Sequence, residues 1–271
     1  MTPDNSNLPL GITLPDIQKT PDHRNIPIQK VGVKEVKHPI VVLDRANERQ
    51  HTIGNFALTV SLPPEVKGTH MSRFLEVLSE NQGEVSVHSI PRILSELREK
   101  LHAEDSFLEV QFPFFIRKKA PVSGLEGMQE YNCMFKAHDN GVVHLEIVLR
   151  AQIATLCPCS KEISKYGAHN QRGEVTLTVS TSDHVWIEDL IEMVEASASC
   201  ALYPVLKRPD EKFVTEKAYE NPRFVEDVIR EVATRMNEDS RILKYEIEVE
   251  NFESIHAHNA YAALAFDKRL A

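Results

Sequence analysis

Apolar residues recur at two different spacings along the chain of 271 residues. In NFALTVSL, residues 55–62, every second residue is apolar, which is typical of a β-strand with one buried face. The same alternation predicts strands in KHPIVVLD, FLEVQFPFF, QEYNCMFKAH, VVHLEIVLRAQI, EVTLTVS, KYEIEVENF and AYAALAF. Spacings of three and four residues predict amphipathic helices in HMSRFLEVLSE, IPRILSELREKL, VWIEDLIEMVEASA and NPRFVEDVIREVATRM.

The order of these elements is the same in both halves of the chain: strand, strand, helix, helix, strand, strand. Such an order predicts an α+β fold in which helix pairs cover one face of antiparallel sheets. We predict a flexible N-terminal segment at 1–25, a first module at 26–138 and a second module at 139–271. The boundary falls at His138-Asp139-Asn140-Gly141, which has the composition of a turn.

Charge and composition exclude several classes of function. The formal net charge is −9, which argues against a nucleic-acid-binding protein but leaves room for a small anionic ligand. No run of about 18 apolar residues predicts a membrane span, and the first residues lack the pattern of a signal peptide. We therefore expect a cytoplasmic protein that does not bind membranes and whose 4 cysteines are reduced.

The segment LCPCSKEISKYGAHNQRG, residues 156–173, is the first candidate for chemistry. It places Cys157 and Cys159 after a predicted strand and His169 before the next one. A disulfide, a metal site and a buried structural pair are the three interpretations, and a reducing compartment argues against the disulfide. Taken alone, a C-x-C pair and one loop histidine are more often structural than metal-binding.

Further metal ligands have to come from elsewhere in the chain. Glu211 lies in KRPDEKFVTEKAYENP, which reads as a long polar loop, and His256 and His258 lie in ESIHAHNAYA at strand spacing. Thiolate, imidazole and carboxylate together suit a first-row metal. The spacing of these cysteine, histidine and glutamate residues does not match a zinc finger. From the residues alone, a metal site is therefore only a hypothesis.

These motifs resemble a known enzyme family. CPCSKEISKYGAHNQRG, with HRNIPIQKVGVK, HPIVVLDR, KGTHMSRF, HSIPRIL and ESIHAHNAYA, is similar to GTP cyclohydrolase of type IB from about His23 to the C terminus. The resemblance implies the tunnelling fold (T-fold), with two tandem ββααββ modules per subunit. It also implies a homotetramer with active sites between subunits. The implied reaction converts GTP to 7,8-dihydroneopterin triphosphate and formate, the first step of tetrahydrofolate and pterin biosynthesis.

The resemblance also implies roles for individual residues. One divalent metal ion per site (Mn, Fe or Zn), with no organic cofactor, would be held by Cys157, His169, Glu211 and His256, while the role of Cys159 stays open. Candidates for acid–base catalysis, beside the catalytic Cys157, are His258 and His70. Candidates for binding the substrate are Glu226 for the guanine edge and Lys67, Arg73, Lys161 and Arg172 for the triphosphate.

Two other functions stay open from the sequence. One is the NADPH-dependent nitrile reductase of queuosine synthesis, a T-fold enzyme that uses a cysteine without a metal. The other is a purine- or pterin-binding T-fold protein without turnover, which activity with GTP would distinguish. The sequence also leaves open whether the product carries a linear or a cyclic phosphate.

Overall fold

The computed structural model of the protein describes residues 16–81 and 85–270. Most of the predicted N-terminal segment, residues 1–15, lies outside the described residues. The described chain begins with a short 3-10 helix at Ile17–Lys19 and then enters the first long strand at Ile28.

The strands form one antiparallel sheet that runs through both halves of the chain. Its order is β1-β2-β3-β4-β5-β6-β8-β9, and the short β7 pairs with β5. The strands are β1 (Ile28–Asp44), β2 (Glu48–Leu62), β3 (Ser106–Lys119), β4 (Glu126–Asp139), β5 (Val143–Leu156), β6 (Asn170–Thr181), β7 (Cys200–Ala201), β8 (Ile242–Asn251) and β9 (Ala260–Asp267). All eight predicted strands are present, and β1 begins well before the predicted KHPIVVLD segment.

Six α-helices connect the strands in the described part of the chain. They are α1 (Met71–Glu80), α2 (Ile90–Leu101), α3 (Pro158–Ile163), α4 (Ile187–Ser197), α5 (Arg208–Glu220) and α6 (Val225–Glu238). The four predicted helices are confirmed as α1, α2, α4 and α6, whereas α3 and α5 had no predicted counterpart. None of the helices in these described ranges is long and apolar enough to cross a membrane.

The helices cover one face of the sheet, where they form a single hydrophobic core with the strands. Phe112 and Phe114 of β3 and Leu94 of α2 belong to this core in the first half, as Leu177 of β6 and Val232 of α6 do in the second. Each such side chain contributes about 1.5–3 kcal/mol when it is fully buried. The alternation that predicted the strands therefore reflects a sheet with one buried face, and the predicted α+β fold is confirmed.

Polar contacts, some of them partly buried, join the two halves through α4. Lys118 Nζ at the end of β3 lies 2.6 Å from Glu195 Oε1, and the Tyr131 hydroxyl donates to the same oxygen at 2.5 Å. Arg45, in the turn between β1 and β2, pairs with Asp189 at 2.6 Å. Removing one partner of a partly buried ion pair is destabilising, because the remaining charge then lacks its partner. These contacts fix the β1–β2 and β3–β4 hairpins against the helices of the second half.

Candidate metal and active site

Cys157 and His169 lie opposite each other where the β5–β6 ladder ends. The last paired residues of the ladder are Leu156 and Asn170, and the Cys157 N–H donates to the His169 carbonyl at 3.1 Å. Residues that are directly opposite in antiparallel strands have Cβ atoms about 4.5–5.5 Å apart. The hairpin therefore brings together the thiol and the imidazole that the sequence analysis singled out.

Ser160 fixes the connection between this thiol and this imidazole. Its N–H donates to Cys157 Sγ at 3.5 Å, and its hydroxyl donates to the Cys157 carbonyl at 3.1 Å. The same hydroxyl oxygen accepts the His169 N–H at 3.2 Å. Cys157 thereby caps the short helix α3, while Cys159, two residues further, is exposed.

The His169 ring contacts three side chains, none of which the sequence analysis identified. Its Nδ1 lies 3.0 Å from Gln171 Oε1 and 3.5 Å from Ser254 Oγ. The Glu253 carboxylate is 3.9 Å away, and this carboxylate and the imidazole are both mostly buried. The Phe252 N–H, which donates to the Arg172 carbonyl at 2.9 Å, holds the start of the β8–β9 loop against β6. This contact between the loop and β6 places the Glu253 carboxylate beside the His169 imidazole.

His256 and His258 lie in this same loop, which does not have the strand geometry that their spacing would suit. Residues 254–258 form a succession of bends, and both imidazoles are exposed. Their rings nevertheless stack, with centroids 4.9 Å apart and planes 15° apart. The two imidazoles are therefore neighbours because of the bent loop and not because of strand geometry.

Glu211 lies in a helix, so the prediction of a long polar loop was wrong. It occupies the first turn of α5, where its side chain is exposed. The adjacent Asp210 is fully buried and accepts hydrogen bonds from the backbone N–H groups of Val122 and Ser123, both at 2.8 Å. Its other oxygen accepts the Ser123 hydroxyl at 2.7 Å and the Lys207 N–H at 2.8 Å. The β3–β4 hairpin of the first half therefore fixes the position of Glu211.

Replacing Asp210 with asparagine should lower the melting temperature at neutral pH. Burial alone would raise the pKa of Asp210, but the hydrogen bonds from Ser123, Lys207 and Val122 outweigh burial and hold it well below its usual range. The lowered pKa stabilises the fold above the unfolded-state pKa of about 3.9, and this contribution is lost as the pH falls towards the folded-state pKa. The difference in melting temperature between the wild type and Asp210→Asn should thus be largest near pH 7 and shrink below about pH 4. A difference that stays constant with pH would contradict this account.

Glu226 lies in the first turn of α6, close to the Cys157 end of the sheet. The Arg223 N–H, just before this helix, donates to the Leu156 carbonyl at 3.0 Å. The Glu226 side chain is exposed. The first turn of α6, which carries Glu226, therefore begins beside the Cys157 end of the sheet, and a carboxylate in a first turn is also favoured by the helix dipole.

The predicted triphosphate-binding cations lie in two separate places. Lys161 of α3 and the exposed Arg172 of β6 flank the Cys157 hairpin. The Lys161 ammonium donates to the Tyr219 carbonyl and lies 4.4 Å from the centroid of the Tyr219 ring. In the first half, Lys67 is exposed, and Arg73 donates to the Lys100 carbonyl at 3.0 Å. His70, which precedes α1, lies 3.3 Å from Asp16. One chain therefore does not bring all of these candidates together.

The four predicted metal ligands do not converge within one chain. Among the described residues, no group of three or more His, Cys, Asp or Glu side chains is arranged to hold a metal ion. Cys157 and His169 are paired. Glu211 lies at the N-terminal end of α5, whereas the contact of α5 with α3, through Tyr219, is at its C-terminal end. Sequence reasoning missed Gln171 and Glu253, because their proximity to His169 depends on strand register and loop path.

Comparison of the fold identifies its class. The structure resembles uricase from Arthrobacter globiformis, with a TM-score of 0.52 and 8% identity, covering 88% of this chain and 93% of that one. It also resembles urate oxidase from Bacillus sp. TB-90, with a TM-score of 0.53 and 7% identity, covering 89% and 100%. At such low identities the similarity shows the fold alone, which is the tunnelling fold.

Comparison of the sequence identifies the family. Residues 14–262 match the family described as type I GTP cyclohydrolase FolE2. GTP cyclohydrolase FolE2 of Azoarcus sp. strain BH72 is 49% identical over 266 residues, which is 97% of this chain and 99% of that protein. The FolE2 protein of Fervidobacterium nodosum is 53% identical over 257 residues, covering 94% and 98%. The chain belongs to the FolE2 family of type I GTP cyclohydrolases, as the motifs predicted.

Proposed function

We propose that this protein hydrolyses GTP and rearranges it to 7,8-dihydroneopterin triphosphate and formate, the first step of tetrahydrofolate biosynthesis. Membership of the FolE2 family over residues 14–262 carries the proposal. The thiol and imidazole paired at the end of the β5–β6 hairpin support it, since both belong to the segment CPCSKEISKYGAHNQRG on which the resemblance to the family rests. The nitrile reductase and the binding protein without turnover are not favoured, because relatives that match this chain over almost their whole length are named as GTP cyclohydrolases.

The residues at the hairpin fit a divalent metal ion. A thiolate, an imidazole and nearby carboxylates are the donor types that zinc, iron and manganese accept. Cys157 and His169 would hold the ion with Glu211 and His256, and Glu253 lies close enough to His169 to act on the same site. When bound, the ion would lower the pKa of water from about 15.7 to about 7 and so supply a nucleophile for C8 of guanine.

The other residues of the site would bind the substrate and move protons. The Glu226 carboxylate can accept both N1–H and the exocyclic amine of guanine, which are two adjacent donors. Lys161 and Arg172 flank the hairpin and can neutralise the triphosphate, as can Lys67 and Arg73 if another subunit supplies them. Ring opening, release of formate and rearrangement of the ribose each transfer protons, for which His258 and His70 are the candidate acids and bases.

The distribution of these residues supports a site shared between subunits. Because one chain leaves Glu211, His70 and Lys67 away from the Cys157 hairpin, we propose a homotetramer whose active sites lie at its interfaces. The charge and the absence of a spanning helix among the described residues agree with a cytoplasmic enzyme.

An assay of the metal-free protein and of protein reloaded separately with manganese, iron and zinc tests this function. Each sample receives GTP, and both formate and the fluorescence of the oxidised pterin are measured. Formate and pterin that increase together only with metal would establish the reaction and rank the three metals. Tight GTP binding without formate under every metal would refute turnover and leave a binding protein.

A further inference from the structure

A chain of two hydrogen bonds leads from the interior of the sheet to the His169 ring. Gln171 Nε2 donates to Thr155 Oγ1 at 3.0 Å, and Gln171 Oε1 lies 3.0 Å from His169 Nδ1. We propose that Gln171 is the positioning residue of the metal site, which holds His169 with its proton on Nδ1 and its Nε2 lone pair free for the metal. The inference rests on the proposed function and deepens it.

The register of β5 and β6 makes this chain rigid. Thr155 and Gln171 are directly opposite in the ladder, and His169 precedes Gln171 by two residues, so their side chains share one face. Thr155 is fully buried and Gln171 is 9% exposed. Water therefore cannot easily replace either hydrogen bond, and a rotation of the Gln171 side chain would leave buried polar groups without partners.

The chemistry of the amide then selects one form of the imidazole. In this orientation of the amide, Nε2 donates to Thr155 and Oε1 faces the ring. An amide oxygen only accepts hydrogen bonds, so the ring nitrogen opposite it then carries the proton. In a neutral imidazole the other nitrogen then has the lone pair that a metal requires. A metal-binding histidine commonly donates its second N–H to such an outer partner, which orients the ring and increases its basicity.

The other neighbours of His169 Nδ1 are weaker candidates for this role. Ser254 Oγ is 3.5 Å away, at the limit of a hydrogen bond, and its residue is exposed. Glu253 Oε2 is 3.9 Å away, beyond hydrogen-bond distance. Gln171 makes the shorter contact, and it is the only one of the three that is held by a buried partner on the adjacent strand.

Three variants separate positioning from general stability. Gln171→Leu keeps the size of the side chain but removes the acceptor, whereas Gln171→Glu keeps an acceptor towards Nδ1. Gln152→Leu is the matched control, because Gln152 is an exposed glutamine on the neighbouring strand β5. The affinity for Zn²⁺ and Mn²⁺ is measured by competition with a chelator, and the protonated nitrogen of His169 is identified by ¹⁵N NMR of the metal-free, histidine-labelled protein. A His169→Gln spectrum assigns the His169 signals.

We expect Gln171→Leu to weaken metal binding by about 10- to 100-fold, while Gln171→Glu and Gln152→Leu stay within a few-fold of the wild type. His169 should carry its proton on Nδ1 in the metal-free wild type and lose that preference in Gln171→Leu. A proton on Nε2 in the wild type would overturn the proposal, as would unchanged metal affinity in Gln171→Leu. If the wild type bound no metal at all, the proposed function would fail, whereas the NMR result would still decide the role of Gln171.

Discussion

Replacing Cys157 with alanine is expected to reduce GTP-dependent formate release by more than about 10³-fold. The shift of the water pKa from about 15.7 to about 7 corresponds to roughly 12 kcal/mol in the cost of hydroxide. Losing a third of this, about 4 kcal/mol, already slows the reaction about 10³-fold. Without the thiolate the proposed metal site would lack its soft ligand, so the metal content of the purified protein should fall together with the activity.

Cys159→Ala is the matched control, because it removes an exposed thiol only two residues away. It should keep both its metal and its formate release. The backbone hydrogen bond from residue 157 to His169 does not need the thiol, so circular dichroism should show that Cys157→Ala is folded. A Cys157→Ala protein that retained metal and released formate at the wild-type rate would exclude Cys157 as a ligand.

Most of the fold could be predicted from the sequence. Because only one face of the sheet is buried, apolar residues occur at every second position of the strands. Phe112 and Phe114 of β3 show this pattern directly. Helix α5 could not be predicted in the same way, since it buries only Asp210 and Ala218 and therefore has no apolar stripe. Its N-terminal end is held by the Asp210 hydrogen bonds to the β3–β4 hairpin, which are contacts between distant parts of the chain.

In the candidate site, the sequence could predict only those residues whose side chains are typical metal ligands. Cysteine and histidine are candidate metal ligands in any sequence, and the β5–β6 hairpin places Cys157 opposite His169. Gln171 and Glu253 have common side chains in ordinary surroundings, so nothing in the sequence distinguishes them. Their importance arises from the register of Thr155 with Gln171 and from the path of the loop after β8.

The position of Glu211 leads to a second prediction with a large effect, which concerns mixed oligomers. Tyr219, near the C-terminal end of α5, contacts Lys161 of α3, and Glu211 lies eight residues earlier in the same helix. At 1.5 Å per residue, Glu211 is about 12 Å further along the helix axis. We therefore expect Glu211 to complete the Cys157 site of a neighbouring subunit.

Cys157→Ala and Glu211→Ala should each be inactive alone and regain activity when they are co-expressed. In a random equimolar mixture each half of a shared site is intact with a probability of one half, so about a quarter of the sites should be complete. Formate release per chain measures this fraction after purification of the mixed oligomers. Cys157→Ala with His169→Ala is the negative control, because one hairpin carries both residues. If the mixture of Cys157→Ala and Glu211→Ala stayed as inactive as this control, a single chain would have to supply both ligands, and α5 would have to move towards the hairpin when metal binds.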